Sequence, residues 1–533
     1  MNHKKILSTL VFSLCSICSW SQNFYYAVYF KDKGDNVKLN ISDCISDNAY
    51  QKRLKNNIDV DFSDFPISSD YVNRVSSPTS KVLLKSRWLN CIVIESEFPM
   101  DFSDYQFVTK VIPINKSDDE ITCRKNEHEN TMYHNEEIIT NGNSDQLDFI
   151  NVTPLHNYGY YGQNVTIAIM DDGFLRANQV EQLNHIFEEN RVVCAKNFID
   201  SKSIYNVGSG HGSRILSILA AESSNFTGSS PRANYMLFRT EDVDNESIIE
   251  EYAWVSAAEY ADSVGVDIIS SSLNYSIMDD SSQSHTYSDM DGKTCPISVG
   301  AQIAASKGII VVNSAGNDGA SEWKYISAPA DANGVVTVGG ANTQGEKWYA
   351  SSVGPTADGR IKPEICGLAV NVVSINPLNG NTISGNGTSF ATPVISGSYA
   401  CLMSAFPDIS SSVIKDVVLN TSSNALTMNN EIGKGIPDFA QAYNVVGVAD
   451  NELSKSPYKV YPNPFVSDFN ISHHDDITSI KVFTANGKAL PTKTNFEDYT
   501  IVNIEVKSSY KGLVYIIVET KDNDNIKLVA IKK

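Results

Sequence analysis

The chain has 533 residues, 42% hydrophobic and 20% charged, and carries a net charge of −20. That length favours several domains, with enough apolar residues for each to bury a core. The acidity argues against nucleic acid or an anionic membrane as the main partner, because both need a basic face.

In chain order, the first feature is a targeting pattern. Lys4 and Lys5 precede an apolar stretch over 6–17, and Ser19 and Ser21 take the small-residue positions before a cut ahead of Gln22. This reads as a secretory signal over 1–21, too short for a comfortable membrane span. Lipidation at Cys18 is the weaker reading, because Cys15 stands where a leucine is expected. Seven cysteines follow the signal: Cys44, Cys91, Cys123, Cys194, Cys295, Cys366 and Cys401. Export permits pairing, and the odd number leaves at least one thiol outside any internal pair.

Residues 22–130 read as a small α+β unit, with strands at FYYAVYF (24–30) and WLNCIVIE (88–95). The polar stretch over 115–145 reads as an exposed linker. Between 150 and 447 the pattern changes. Short apolar runs at 164–171, 267–272, 308–315 and 334–340 suit strands buried on both faces, and helical patterns at 248–265 and 297–308 separate them. This predicts an α/β unit, a parallel sheet flanked by helices. Residues 448–457 are polar, end in Pro457 and read as a linker. Residues 458–533 read as successive strands with a turn at Asn486-Gly487, which predicts a small β-sandwich.

Four segments of the α/β unit carry chemistry. Asp171 ends the strand in IAIMDDG, at the carboxyl edge where sites of parallel sheets gather, with Asp172 as a competing choice. His211, in GSGHGSRI, opens a helix that would anchor a general base. Its glycine-flanked turn predicts an exposed ring, and a surface cap is the bland alternative. Asn317 closes the strand of VVNSAGND, where its amide could donate to an oxyanion or simply make a turn. Ser389, in GNGTSFATP, precedes a helical run with Pro393 tolerable in its first turn. Backbone N–H groups there face any anion that forms, and a simple N-cap serine is the other reading. Acid, base, oxyanion donor and nucleophile are the parts of serine-type acyl transfer, and Asp, His, Ser is one of its known chain orders.

These segments resemble the subtilisin-like serine proteases, or subtilases, themselves a reference case for this triad. In that family the acid precedes a small residue and then glycine, which selects Asp171 with Gly173; HGSRI resembles HGTHV, and AGNDG and GTSFATP match the oxyanion and serine motifs. Similar stretches lie at 351–365 and 433–443, and SSSLN at 270–274 resembles the strand that pairs with substrate. The resemblance implies a secreted serine endopeptidase acting on proteins or peptides. Asp171, His211, Ser389 and Asn317 would be its catalytic residues, and Ser272, Leu273, Asn274, Ala315 and Gly316 would bind substrate backbone. The chemistry needs no cofactor, and a monomer is expected. Departures are Ser213 for threonine, Arg214 for a second histidine, Asn274 for glycine, and Gly367-Leu368-Ala369 for Ala-Pro-Gly.

The unit at 22–130 resembles a subtilase propeptide, a foldase and temporary inhibitor. The unit at 458–533, with YPNPF at 461–465 and GLVYIIV, resembles the sorting domain of the Bacteroidetes type IX secretion system. That implies export by this secretion machinery across the outer membrane to the surface or medium; a carbohydrate-binding or adhesive module is the alternative. Asp289 and Asp291 resemble a fragment of a calcium loop but lack its later acidic ligand, so a plain turn is favoured. Relatives that carry structural calcium keep that question open. The rival functions are a catalytically idle subtilase fold and a β-rich adhesin with coincidental motifs.

Overall fold

The computed structural model describes residues 23–114, 142–455, 459–461, 465–472, 477–484, 488–496, 501–510, 512–521 and 525–532. The signal, most of the first linker, Cys123, Pro457, part of YPNPF and the Asn486-Gly487 turn lie outside the described residues.

In the N-terminal unit, β1 (Phe24–Phe30), β2 (Ser80–Ser86), β3 (Cys91–Ser96) and β4 (Val108–Ile114) form one antiparallel sheet, ordered β2-β3-β1-β4. Of its two longer helices, α2 (Ser69–Val75) packs on this sheet, and α1 (Asp47–Lys55) packs on the long helix over 248–264 of the next unit. Successive strand residues point to opposite faces. Val28, Phe30, Ile92 and Ile94 therefore pack with Val72, Val75 and Phe107 on one side. Ala27, Cys91 and Val93 face the other way, into a core shared with the long helix of the next unit. Buried charges bind the same contact. Arg53 donates to Asp64 at 3.0 Å and to Asp262 at 2.8 Å, Arg87 reaches Asp262 at 2.9 Å, and Lys307 reaches Asp64 at 2.9 Å. Burial alone would raise the Asp64 carboxyl, but the bonds from Arg53 and Lys307 outweigh it and hold it at about 2. Its contribution is thus present above its ordinary value of 3.8 and is lost as pH falls toward about 2. Arg53→Ala empties a buried site and removes one of two cationic partners from each of two buried carboxylates, leaving Asp64 to Lys307 and Asp262 to Arg87. It is expected to lower the unfolding free energy of an uncleaved Ser389→Ala precursor by about 3–5 kcal/mol in denaturant titration. Lys38→Ala, which breaks an exposed pair with Asp35, should change it far less.

The central unit holds seven parallel strands: β5 (Thr166–Asp171), β6 (Val192–Asn197), β7 (Asn234–Arg239), β8 (Ile268–Ser271), β9 (Ile310–Ser314), β10 (Val336–Ala341) and β11 (Ile365–Leu368). Their order is β11-β10-β9-β8-β5-β7-β6. The four expected strands start one or two residues later than the apolar runs, as frayed ends commonly do. Both faces are apolar and buried. Ile167 and Ile169 pack on one side with α3 (His211–Ala220) and α6 (Thr388–Ala405). Ala168 and Met170 pack on the other with α4 (Ile248–Val264) and α5 (Pro296–Ser306). α7 (Ser411–Asn420) and α8 (Phe439–Lys455) complete the unit.

Several expectations need correction. Pro393 lies past the first turn, inside α6. A proline cannot donate to the carbonyl four residues back, and that carbonyl, of Ser389, instead accepts the Ser272 hydroxyl at 3.0 Å. The linker expected at 448–457 is largely helical, because α8 continues to Lys455. The stretch after Gly447 has good helix formers and no proline before Pro457. Cysteine pairing, which the sequence left open, does not occur among the six described post-signal cysteines, all free thiols.

The C-terminal strands form two four-stranded antiparallel sheets. Phe465, Phe469, Ile471, Ile504, Val514 and Ile516 are among the side chains of their common core, as expected of a sandwich.

Candidate active site

Asp171 is the last residue of β5, wholly buried, and accepts from His211 Nδ1 at 2.9 Å (Oδ1) and 3.1 Å (Oδ2). A carboxylate on Nδ1 leaves Nε2 as the ring's other working nitrogen. His211 opens α3 and is only 9% exposed, so the exposed ring expected from its glycine-flanked turn is replaced by a packed one. The reason is close approach. A Cβ on Gly212 would lie 2.2 Å from the Gly173 carbonyl oxygen and 2.9 Å from Asp171 Cβ, so only glycine lets the helix start against the strand end. The neighbouring Asp172 builds the turn itself, with Oδ2 accepting from Ser209 N at 2.6 Å and from its hydroxyl at 2.5 Å.

Ser389 is the second residue of α6, and its hydroxyl reaches the Ser272 carbonyl at 3.5 Å. The following Phe390 packs against the His211 ring, with centroids 5.9 Å apart, and the Arg214 guanidinium lies over the Phe390 ring, 4.5 Å from its centre. Asn317 lies just past β9, and its Oδ1 accepts from both Thr388 N and Thr388 Oγ1 at 3.0 Å. A backbone N–H can only donate, so oxygen faces Thr388 and the Nδ2 donor is turned the other way. The two neighbours of Ser389 thus touch the other segments, Phe390 meeting His211 and Thr388 meeting Asn317, at the carboxyl edge of the sheet.

Ser272, Leu273 and Asn274 continue β8, and Ala315 and Gly316 continue β9. Asn313 donates to the Leu273 carbonyl at 3.1 Å, and Asn274 donates to Ser314 Oγ at 2.6 Å. A Cβ on Gly316 would sit 2.8 Å from Ser352 Oγ and 3.3 Å from Asn274 Oδ1, so the two extensions meet closely. The carboxylates of Asp289 and Asp291 serve local turns, through Thr286 for the first and the Lys293 and Thr294 N–H groups for the second.

Sequence reasoning missed Thr388, which orients Asn317, and Arg239. Arg239 ends β7 beside Asp171 and binds the Asp172 carbonyl at 3.0 Å, Asp200 at 2.9 Å and Asp242 at 3.2 Å. The threonine stood in plain view before Ser389. The arginine carries no local signal, since a strand-end arginine is more often a surface residue.

Burial pushes the Asp171 carboxyl up to about 7, against the pull of His211. The pair takes up a proton as pH falls through that range, and a protonated imidazole cannot act as base. Peptide cleavage, measured as kcat/KM, should therefore fall about tenfold per pH unit below about pH 7 and level off above it. A profile flat down to about pH 5 would contradict that coupling.

A parallel α/β sheet with an acid, an imidazole, a hydroxyl and an amide at its carboxyl edge defines the serine-hydrolase class as the field of candidates. Within it, the profile of the Subtilase family, Peptidase S8, matches residues 162–435, and the chain belongs to that family. A Bacteroidota Peptidase S8 propeptide domain matches 25–131, and a secretion system C-terminal sorting domain matches 459–532. Subtilisin DY from Bacillus licheniformis is 28% identical over 293 residues, covering 54% of this chain and 94% of that protein. Subtilisin NAT from Bacillus subtilis subsp. natto is 27% identical over 279 residues, covering 51% of this chain and 64% of that protein. The protein is a serine-type endopeptidase. Its sorting domain makes it a secreted or cell-surface protein exported through the outer membrane by type IX secretion.

Proposed function

We propose that this protein hydrolyses peptide bonds through Ser389, His211 and Asp171, with Asn317 in the oxyanion hole. The observation that carries the reading is the bond from His211 Nδ1 to the buried Asp171 carboxylate, 2.9 Å long, beside a helix that begins at Thr388-Ser389. His211 Nε2 takes the Ser389 proton as Oγ attacks the substrate carbonyl carbon. The carbonyl π electrons move onto oxygen, where the Asn317 Nδ2–H and the Ser389 N–H receive the charge. Collapse expels the amine, which takes the proton from His211 and leaves an acyl-enzyme. Water, deprotonated by the same imidazole, attacks that ester, and collapse releases the acid product while His211 gives its proton back to Ser389 Oγ. Asp171 holds the ring in the productive tautomer and stabilises its charged form. No step draws on a metal.

Ser272, Leu273, Asn274, Ala315 and Gly316 would flank an extended substrate strand, giving main-chain hydrogen bonds and little side-chain choice. The segment at 22–130 would be the propeptide that occludes the enzyme until cleaved, after a signal over 1–21; 150–447 would be the peptidase and 458–533 the secretion signal. The complete set of four groups weighs against an idle fold.

The test is a diverse peptide library incubated with the protein, the new termini being read by mass spectrometry. Internal cuts are expected. Asn317→Ala should slow them by about 10²–10³-fold in kcat with KM little changed, the scale known for the matching donor in subtilisin itself. An unchanged kcat would remove Asn317 from the mechanism.

A further inference from the structure

We propose that Asn274 closes the gap beside Ser389 and makes this protein select a small side chain, glycine, alanine or serine, on the acyl side of the bond it cuts. This selection rests on the proposed reaction, whose nucleophile and oxyanion donor fix where that side chain goes. The ladder between β8 and β9 ends at the pair Ser271 and Asn313. Beyond it the two extensions flank the start of α6. Ser272 Oγ donates to the Ser389 carbonyl at 3.0 Å, and the Ser272 carbonyl lies 3.5 Å from Ser389 Oγ. On the other side Gly316 N donates to Thr388 Oγ1 at 3.3 Å, and Asn317 follows in the chain. A substrate carbonyl with its carbon at Ser389 Oγ and its oxygen at Asn317 Nδ2 therefore places the acyl-side residue between Ser272 and Gly316. Its side chain enters the gap between the extensions.

That gap is already bridged. Asn274 Nδ2 donates across it to Ser314 Oγ at 2.6 Å. The Oδ1 of the same amide reaches further along the opposite wall, 3.3 Å from where a Cβ on Gly316 would stand. One step earlier Asn313 Nδ2 donates to the Leu273 carbonyl at 3.1 Å, which ties the two extensions together. The wall beyond Gly316 is also held, since Ser352 Oγ accepts from Asp318 N at 3.0 Å. Glycine at 274, which the resemblance implies, would leave this space to the substrate. With asparagine there, two effects oppose a large apolar side chain. It must push the amide off Ser314, and crowding of this kind is costly in a packed site. It would also cover Asn274 Oδ1, a buried oxygen with no hydrogen-bond partner among the described residues, without offering a donor. Glycine and alanine stay clear of the amide, and a serine hydroxyl brings a donor toward Oδ1. Main-chain pairing along the extensions supplies affinity but no such choice.

The test uses the active enzyme and peptides identical except for alanine, serine, leucine or phenylalanine on the acyl side of a single cut, which mass spectrometry locates. For the parent, kcat/KM with alanine or serine should exceed that with phenylalanine at least about tenfold. Asn274→Gly removes the bridge and should shift that ratio toward phenylalanine by at least about tenfold. Asn274→Ala, which keeps a Cβ, should shift it the same way by less. Each ratio is taken within one preparation, so it does not depend on the fraction of enzyme that is folded. The parent's order decides even where a variant fails to fold. A parent that prefers leucine or phenylalanine, or a ratio unchanged in both variants, would overturn the role of Asn274 alone. Failure of the parent to cut any peptide, the diverse library included, would overturn the proposed reaction and this selection with it.

Discussion

Ser389→Ala is expected to lower kcat for peptide cleavage by about 10⁶-fold, the scale for losing the nucleophile in subtilisin itself. The loss is that large because the proposed acyl intermediate forms on the Ser389 hydroxyl. The fold should not follow. The Ser389 hydroxyl makes one long contact, 3.5 Å to the Ser272 carbonyl, and its removal should move stability by less than about 1 kcal/mol. The uncut precursor should accumulate, with its N-terminal unit still held by the Arg53, Asp64 and Asp262 pairs. Steady-state kinetics beside a denaturant melt separates the effects. Equal loss of both would mean Ser389 is structural.

Asp171→Asn should cost about 10⁴-fold in kcat, the scale for the equivalent change in other serine proteases. The amide is nearly isosteric, so packing in this fully buried position survives. What changes is the partner of His211 Nδ1. A carboxylate only accepts, which fixes the proton on Nδ1 and leaves Nε2 to receive one from Ser389. An amide can turn its NH₂ to the ring, place the proton on Nε2 and abolish the base. The pH profile gives a second readout, because the variant lacks the carboxyl that burial raises to about 7. Full activity with an unshifted profile would show that Asp171 does not set the tautomer.

The proposed chemistry could be read from the sequence because its motifs are local. Glycine-flanked motifs at strand ends and helix starts place Asp171, His211, Asn317 and Ser389 at one sheet edge, and short apolar runs name the strands that carry them. The error over His211 exposure arose because a turn sequence says nothing of what packs over it. What stayed hidden is long-range. Arg53 and Asp262 are 209 residues apart, and no local pattern links a charge in one unit to its partner in another. The Pro393 position hid a further consequence. Only the fold shows that the carbonyl it frees belongs to Ser389 and is claimed by Ser272.

The central claim is that His211 makes the Ser389 oxygen a nucleophile. Treatment with a fluorophosphonate, followed by proteolytic mapping and mass spectrometry, tests it directly. One adduct per active molecule on Ser389, and almost none in His211→Ala, is the predicted result. Labelling elsewhere, or undiminished labelling of Ser389 without the imidazole, would contradict it.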